Sequence, residues 1–385
     1  MIDQTKQILA DLIAFPTVSA DSNLSMINYL CDKLEKAGAR VDIELDGSGK
    51  KANLFATLGP DRDGGIVLSG HSDVVPVTDQ DWASDPFEMI EHNGRLFGRG
   101  ACDMKGFIAA TVAMAPMFAR HVHHRSLHFA FTYDEEVGCL GAEQLAQSLL
   151  ARSTTPSLAI IGEPTSMQII EGHKGCFEYT TRFQGLEGHG STPDCGVNAV
   201  EYAVRYVNRL LELRDQLRNM APSGSRFEPP WTTLNVGSLT GGSVHNVIPP
   251  RAEVEWEMRP TQSSDANFVK DEIQRYCDEV LLPAMRTIHP GAKIETETIG
   301  EVAGLIPTDE NQALKLVSEL TGTNCADLVS FGTEAGIFQS LGMDVVICGP
   351  GSIEQAHKAN EYVSLDQLKQ CILMLEKLGQ ALARS

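Results

Sequence analysis

Histidine or carboxylate side chains stand beside predicted strand ends at five points along the chain. These points are the segments 69–76 with His71, 97–106 with Asp103, 132–138 with Glu135 and Glu136, 160–165 with Glu163, and 349–358 with His357. Ligand sites of open α/β sheets collect beyond the carboxyl ends of the strands. Imidazole nitrogens and carboxylate oxygens are the donors of hydrolytic zinc sites, and two ions can share one carboxylate. The sequence therefore predicts a site for two divalent metal ions that needs no cysteine ligand.

Each segment alone also has a structural explanation. His71 could be a satisfied core histidine, Asp103 could cap the helix that follows it, and the carboxylates at 134–136 could form a solvated loop. Asp73 lies two residues after His71 and could accept the second ring N–H, which would fix the histidine tautomer. The strand pattern does not choose between the two neighbouring glutamates as a ligand. The convergence of the five segments carries the prediction.

Short apolar strands alternate with amphipathic helices up to about residue 176 and again from about residue 301. This alternation predicts an α/β domain with a largely parallel sheet. Between 177 and 300 the elements follow the order β-α-β-β-α-β, which is the ferredoxin-like pattern. We therefore predict one domain made of residues 1–176 and 301–385, with a smaller domain, 177–300, inserted into it.

The composition limits the function classes. The 385 residues carry 51 acidic and 31 basic side chains, a formal net charge of -20, which disfavours nucleic acid and anionic membranes as partners. The nine cysteines include no C-x-x-C pair, and the N-terminus lacks the features of a signal peptide, so we expect a cytoplasmic protein. There is no G-x-S-x-G or G-x-x-x-x-G-K-[ST] segment for serine hydrolysis or nucleotide binding.

With these motifs in view, the chain resembles the M20 metallopeptidase family, in its acetylornithine deacetylase branch, over essentially its whole length. Residues 70–76 match the family pattern G-H-x-D-V-V-P, and residues 98–106 match G-R-G-x-x-D-M-K-G. The resemblance implies a zinc-exopeptidase-like, three-layer catalytic domain with an inserted ferredoxin-like lid and dimerisation domain. It also implies a cis peptide bond between Asp103 and Met104.

The same resemblance implies roles for the site residues. Asp103 would bridge two ions, His71 and Glu163 would complete one site, and Glu136 and His357 would complete the other. The ions are expected to be zinc, with cobalt or manganese as alternatives that fit the same donors. Carried over in the same way, Glu135 is the general base and Asp73 is the partner of His71.

Three residues of the inserted domain are also implied to act. The segment 188–193 resembles the one whose histidine, here His189, reaches the active site of the partner subunit and stabilises the oxyanion. Asn246, in 241–249, would contribute to substrate and oxyanion binding, and Arg259 would bind a substrate carboxylate. The expected assembly is a homodimer formed through the inserted domain.

The substrate assignment depends mainly on the segment 331–336. The desuccinylase branch has T-S-D-G-R-F there, whereas this chain has Thr333 and Glu334, which we interpret as substrate-binding residues. A carboxylate suits the ammonium group of ornithine, although Glu334 could also be a residue favoured at a helix N-terminus. The predicted partner is thus a small N-acyl amino acid, and the predicted reaction is hydrolysis of N2-acetyl-L-ornithine to L-ornithine and acetate, a step of arginine biosynthesis.

Other functions remain open at this stage. The nearest alternatives are related M20 amidohydrolases: a succinyl-diaminopimelate desuccinylase, an aminoacylase, an acylcitrulline deacylase or a dipeptidase. A more distant alternative is a non-catalytic, metal-dependent binding protein on the same scaffold. The complete set of five ligand types together with Glu135 favours an enzyme, because such a set has no structural purpose.

Overall fold

The computed structural model describes residues 1–384, and the chain divides into two compact units. The first unit, called the metal-site unit below, comprises Met1–Gly172, Pro307–Leu328 and the chain from Thr333 onward. The second, called the inserted unit, comprises His173–Ile306 and Val329–Gly332. The inserted unit is therefore longer at both ends than residues 177–300.

Within residues 1–384 the two units contain ten α-helices and seventeen strands. The helices are α1 (Ile2–Ile13), α2 (Leu24–Lys36), α3 (Lys105–Phe118), α4 (Leu140–Leu150), α5 (Ala199–Leu217), α6 (Ser263–Tyr276), α7 (Leu282–Ile288), α8 (Gln312–Thr321), α9 (Ala335–Ser340) and α10 (Leu365–Leu382), as described for residues 1–384. The strands in the same range are β1 (Arg40–Leu45), β2 (Ala52–Leu58), β3 (Ile66–His71), β4 (Ile90–His92), β5 (Arg95–Phe97), β6 (Leu127–Thr132), β7 (Leu158–Pro164), β8 (Ile169–His173), β9 (Cys176–Gln184), β10 (Gly188–His189), β11 (Thr233–Gly241), β12 (Val247–Ile248), β13 (Arg251–Arg259), β14 (Lys293–Val302), β15 (Ala326–Val329), β16 (Asp344–Gly349) and β17 (Tyr362–Ser364).

An eight-stranded mixed sheet forms the centre of the metal-site unit, in the order β1-β2-β6-β3-β7-β16-β8-β15. The four central strands β6, β3, β7 and β16 are parallel, whereas β1, β2 and β8 pair in antiparallel fashion. The prediction of a largely parallel sheet is thus correct only for the centre. For β1 and β2 the reason is the length of their connection: residues 46–51 alone join them, and a parallel pair needs a crossover of about a dozen residues.

Helices cover both faces of this sheet. Every residue of β2, β3, β6 and β7 is buried, and alternate residues of a strand point to opposite faces. On one face α3 packs against α1, α2 and α10, and α8 packs against α10. On the other face α4 packs against α9. The predicted three-layer architecture is confirmed.

The inserted unit has a four-stranded antiparallel sheet in the order β11-β13-β9-β14. Helices α5 and α6 follow β9 and β13, so the chain order is the predicted β-α-β-β-α-β. The apolar side of α5 packs on the sheet, where Tyr206 meets Trp256 and Phe183. Between α6 and α7 the chain makes a wider helical turn at Cys277–Leu281, next to Pro283, which has no N–H for the helical ladder.

Within residues 1–384, none of the helices combines the length and the apolar character that crossing a bilayer requires.

Candidate metal centre

The carboxylate of Asp103 lies between two histidines. One oxygen, Oδ1, is 2.9 Å from Nε2 of His71, and the other, Oδ2, is 3.4 Å from Nε2 of His357. A glutamate accompanies each histidine: Oε1 of Glu163 is 3.7 Å from the His71 nitrogen, and Oε2 of Glu136 is 3.0 Å from the His357 nitrogen. The two oxygens of Asp103 therefore face two separate pairs of donors, which is the arrangement that two cations sharing one carboxylate require.

The strand order explains why these residues meet. His71 is the last residue of β3, Glu163 is the next-to-last residue of β7, and the turn with Glu136 follows β6. The loop with His357 follows β16, so four neighbouring parallel strands end at the same edge of the sheet. As expected from the sequence, the five segments converge there.

The charge of the cluster fits divalent cations. Four carboxylates, those of Asp103, Glu135, Glu136 and Glu163, gather around His71. Burial raises the pKa of Glu163 well above its usual range, the Asp103 carboxylate raises it further, and Oε1 of Glu163 has no hydrogen-bond partner. Two divalent ions would balance four negative charges and would favour the ionised carboxylates. The donor set therefore fits the two ions that the sequence predicts.

Asp73 connects His71 to the turn that carries Glu135 and Glu136. Its buried carboxylate accepts hydrogen bonds from the backbone N–H of Glu135 at 3.1 Å, from that of Glu136 at 3.3 Å and from the Ser19 hydroxyl at 2.7 Å. The Nδ1–H of His71 points to the Asp73 carbonyl oxygen at 3.0 Å, while the carboxylate is 3.6 Å away. The backbone of Asp73 thus fixes the tautomer that leaves Nε2 free to face Asp103.

The three consecutive carboxylates at 134–136 point to three different places. Asp134 has a left-handed backbone conformation, with φ 54°, and its carboxylate pairs with the ammonium of Lys51. Glu136 faces His357, whereas a carboxylate oxygen of Glu135 lies within 4.8 Å of ligand atoms of His71 and Glu163. Burial raises the pKa of Glu135 well above its usual range. The turn therefore separates the two glutamates that the sequence pattern could not tell apart.

The backbone of segment 98–106, which carries Asp103, is fixed by close packing and by a buried ion pair. Gly100 has φ +80°, and a Cβ there would lie 2.8 Å from the Val74 side chain, so a larger residue is excluded. The peptide bond between Asp103 and Met104 is cis, which confirms that expectation. The guanidinium of Arg99, fully buried, pairs with Glu361 at 2.8 Å.

Glu361 is a residue that our sequence analysis missed. It directly precedes the short strand β17, so it follows the pattern of an acidic residue beside a strand end. Its type and position alone do not show that it is buried.

Thr333 and Glu334 are buried within the metal-site unit. The carboxylate of Glu334 accepts hydrogen bonds from Ser69 at 2.5 Å and from Thr132 at 2.7 Å, so each oxygen has a hydroxyl partner. Thr333 accepts the backbone N–H of Ala335 at the start of α9. The interpretation of Glu334 as a partner for a substrate ammonium does not fit this environment, because the side chain is fully buried and its oxygens already accept from two hydroxyls. Its contacts favour a structural role beneath β3 and β6.

The predicted residues of the inserted unit lie on exposed or half-buried positions. His189 pairs with Val247 through β10 and β12, and the backbone N–H of Gly190 donates to the Asn246 carbonyl at 2.7 Å. The segments of His189 and Asn246 are therefore neighbours. Arg259 is half-buried, and its guanidinium donates twice to one oxygen of Glu257, at 2.8 and 3.0 Å.

Comparisons with known proteins agree with this geometry. An acetylornithine deacetylase from Shigella sonnei is 34% identical over 370 residues, which is 94% of each chain. A metallo-carboxypeptidase of the M20 family from Sulfolobus solfataricus shares the fold with a TM-score of 0.76 at 17% identity, over 100% of both chains.

A dinuclear metal-binding peptidase of the M20 family from Bacillus subtilis also shares the fold, with a TM-score of 0.68 at 15% identity. The alignment covers 100% of this chain and 98% of that one. Residues 67–381 match peptidase family M20/M25/M40. Together with the identity to the deacetylase, this match shows that the chain is a hydrolase that belongs to peptidase family M20/M25/M40.

Proposed function

We propose that this chain is a dinuclear metal-dependent amidohydrolase that cleaves the acetyl amide of N2-acetyl-L-ornithine, releasing L-ornithine and acetate. The observation that carries the reaction type is the Asp103 carboxylate, whose two oxygens face two separate histidine–glutamate pairs. The substrate is supported by the 34% identity to an acetylornithine deacetylase over 94% of both chains. The reaction would serve arginine biosynthesis.

The ions would be held by residues of the metal-site unit alone. His71 and Glu163 would hold one ion, Glu136 and His357 the other, and Asp103 would bridge them. Imidazole and carboxylate donors without a thiolate suit zinc, and they also suit cobalt or manganese. Bound ions of this kind polarise an amide carbonyl and lower the pKa of water.

In this proposal the protein moves the protons through Glu135. Its carboxylate takes a proton from the attacking water, and the water oxygen forms a bond to the acetyl carbon. Glu135 then gives the proton to the nitrogen of the breaking C–N bond, so that acetate and the free amine leave. The backbone hydrogen bond to Asp73 holds the turn that carries Glu135. From the resemblance, His189 and Asn246 would stabilise the oxyanion, and Arg259 would bind the substrate carboxylate.

A substrate panel tests the proposal. Metal-reconstituted protein should hydrolyse N2-acetyl-L-ornithine with a higher kcat/KM than N-acetylcitrulline, succinyl-diaminopimelate or a dipeptide. The metal-free protein, kept in chelator, is the control and should be inactive. If another compound of the panel gave the higher kcat/KM, the proposed amide hydrolysis would stand, but that compound would be the better substrate.

A further inference from the structure

Glu361 collects four hydrogen bonds behind the metal centre although it faces none of the predicted ligand atoms. Oε1 accepts the backbone N–H groups of Cys102 at 2.8 Å and of Asp103 at 3.0 Å. Oε2 accepts the N–H of Gly100 at 3.0 Å and the Nη1 of Arg99 at 2.8 Å. The side chain is buried, with 1% exposure, so these donors stabilise its charge in place of water. The carboxylate therefore fixes the backbone from which the Asp103 side chain projects.

The same contacts reach the loop that carries His357. Arg99 donates to the Lys358 carbonyl at 3.3 Å and to the side-chain oxygen of Gln80. The amide of Gln80 in turn donates to the carbonyl of His357 at 3.0 Å. Glu361 and Arg99 thus connect the backbone of the shared ligand with the backbone of a ligand of one ion.

The two predicted ion positions depend on these contacts to different degrees. His71 and Glu163 lie at the ends of central strands, and both are buried. His357 lies in a loop, its side chain is 53% exposed, and its φ is 61°. The loop has no strand ladder to hold it, so it relies more on side-chain contacts than the strand ends do.

We propose that Glu361 is a positioning residue that sets the affinity chiefly of the ion held by Asp103, Glu136 and His357, and affects the ion held by Asp103, His71 and Glu163 much less because the latter two ligands lie at buried strand ends. The inference rests on the proposed function in one respect, namely that two ions bind. Partners of metal ligands tune affinity by about 10–100-fold in known sites, and Glu361 acts here through the ligand backbones.

The test is a Zn²⁺ titration of the metal-free protein by calorimetry, with wild type beside Glu361→Gln. The amide has almost the same shape, but its NH₂ group would face donors where a carboxylate oxygen now accepts. We assign the first equivalent of Zn²⁺ to the buried His71 and Glu163 and the second to the site of the more exposed His357. The second equivalent should then bind at least about tenfold more weakly in the variant, and the first within about threefold of wild type. With Co²⁺ in place of Zn²⁺, the visible absorption of the second equivalent should change.

Asp265→Asn is a matched control in the inserted unit. Asp265 is also a buried carboxylate, and it accepts from Thr232 and Gln262. Its substitution should leave both equivalents unchanged. Arg99→Lys, which keeps a cation beside Glu361, is a milder variant should Glu361→Gln fail to fold, and it should weaken the second equivalent in the same direction.

Three results would overturn the proposal: unchanged binding of both equivalents, equal weakening of both, or a wild-type protein that binds fewer than two ions. The titration contains no substrate. A wild-type protein that binds two ions but leaves acetylornithine intact would contradict the proposed substrate and not the role of Glu361.

Discussion

The carboxylate of Asp73 accepts a hydrogen bond from the backbone N–H of Glu135 at 3.1 Å, while the carbonyl oxygen of the same residue accepts the Nδ1–H of His71 at 3.0 Å. One residue thus orients both a predicted ligand and the predicted base. A change in its side chain should affect the base more than the histidine, because the histidine is held by the backbone.

We expect Asp73→Asn to lower kcat/KM about 10–100-fold while the protein still folds. In wild type the Asp73 carboxylate accepts the backbone N–H groups of Glu135 and Glu136. The asparagine side chain has an NH₂ group in place of one of these acceptor oxygens, so one of the two N–H groups would lose its acceptor. Steady-state kinetics on acetylornithine and a thermal melt measure the two effects. Asp63→Asn is the control, since exposed Asp63 also accepts a backbone N–H, from Thr155, in a surface turn. Unchanged kinetics in Asp73→Asn would show that the Asp73 carboxylate does not orient Glu135 for the reaction.

Glu135→Gln should bind both ions as wild type does and should lose about 10²–10⁴-fold in kcat. The amide keeps the size of the side chain but cannot take a proton from water. Calorimetric Zn²⁺ titration and kcat on acetylornithine are the measurements. Exposed Glu354→Gln serves as a control that should keep full activity. If Glu135→Gln retained more than about a tenth of the wild-type kcat, another group would have to be the base.

Glu334→Gln separates two interpretations of Glu334. Because its carboxylate accepts from Ser69 and Thr132 inside the protein, we expect a loss of stability of about 1–3 kcal/mol. The ratio of KM for acetylornithine to KM for a neutral N-acetyl amino acid should not change. An increase of KM for acetylornithine alone would restore Glu334 as the ammonium partner. Exposed Glu310→Gln provides the control for both measurements.

His128 should make the protein less stable in mild acid. Burial lowers the pKa of His128 to about 4, and Thr57 lies 2.9 Å from its Nδ1. In the unfolded chain the imidazole has a pKa of about 6.5, so on acidification the unfolded state binds the proton before the folded state does. The stabilising contribution of neutral, buried His128 is therefore fully present above about pH 6.5. It is lost as the pH falls from about 6.5 towards 4, by about 3 kcal/mol at most.

Calorimetric melts of metal-free wild type and His128→Gln between pH 8 and 5 measure this effect. The variant should be less stable at pH 8 but should lose less stability on acidification than wild type. His92→Gln, at an exposed histidine of β4, should follow the wild-type curve. Parallel curves for wild type and His128→Gln would show that another group controls the acid response.

The proposed homodimer can be tested by complementation. His189→Ala and Glu135→Gln should each be nearly inactive. If His189 acts in the partner subunit, an equimolar mixture allowed to exchange subunits should recover about a quarter of wild-type activity, because half of the dimers contain one complete site. Mixing Glu135→Gln with the doubly substituted protein is the control, and it should recover nothing. Recovery equal to that control would place His189 in its own subunit, whereas an active His189→Ala protein before mixing would place His189 outside the reaction.

The sequence was sufficient to predict which segments meet. His71 and Glu163 lie at the ends of buried apolar strands, and the turn at 134–136 follows a third. Parallel strands bring their carboxyl ends to one edge of the sheet. The alternation of strands and helices also predicted the architecture of both units. These features depend on local patterns, which is why they can be found in a single sequence.

Other features depend on long-range contacts and could not be predicted in this way. Glu334 and Glu361 are glutamates that a linear pattern places on a surface as easily as in the interior, and only the contacts with Ser69 or Arg99 show their burial. The antiparallel pairing of β1 with β2 follows from a short turn, which our reading of the alternation did not weigh.

The position of β16 has a consequence for how the protein is made. This strand is among the last elements of the chain, yet it lies inside the sheet, between β7 and β8. A nascent chain or a truncated product that ends before residue 344 would lack both an internal strand and His357, so it would leave β7 with an open edge. Complete synthesis is therefore a condition for a closed sheet and a complete donor set alike, and prematurely terminated chains are expected to aggregate or be degraded without becoming partly active enzymes.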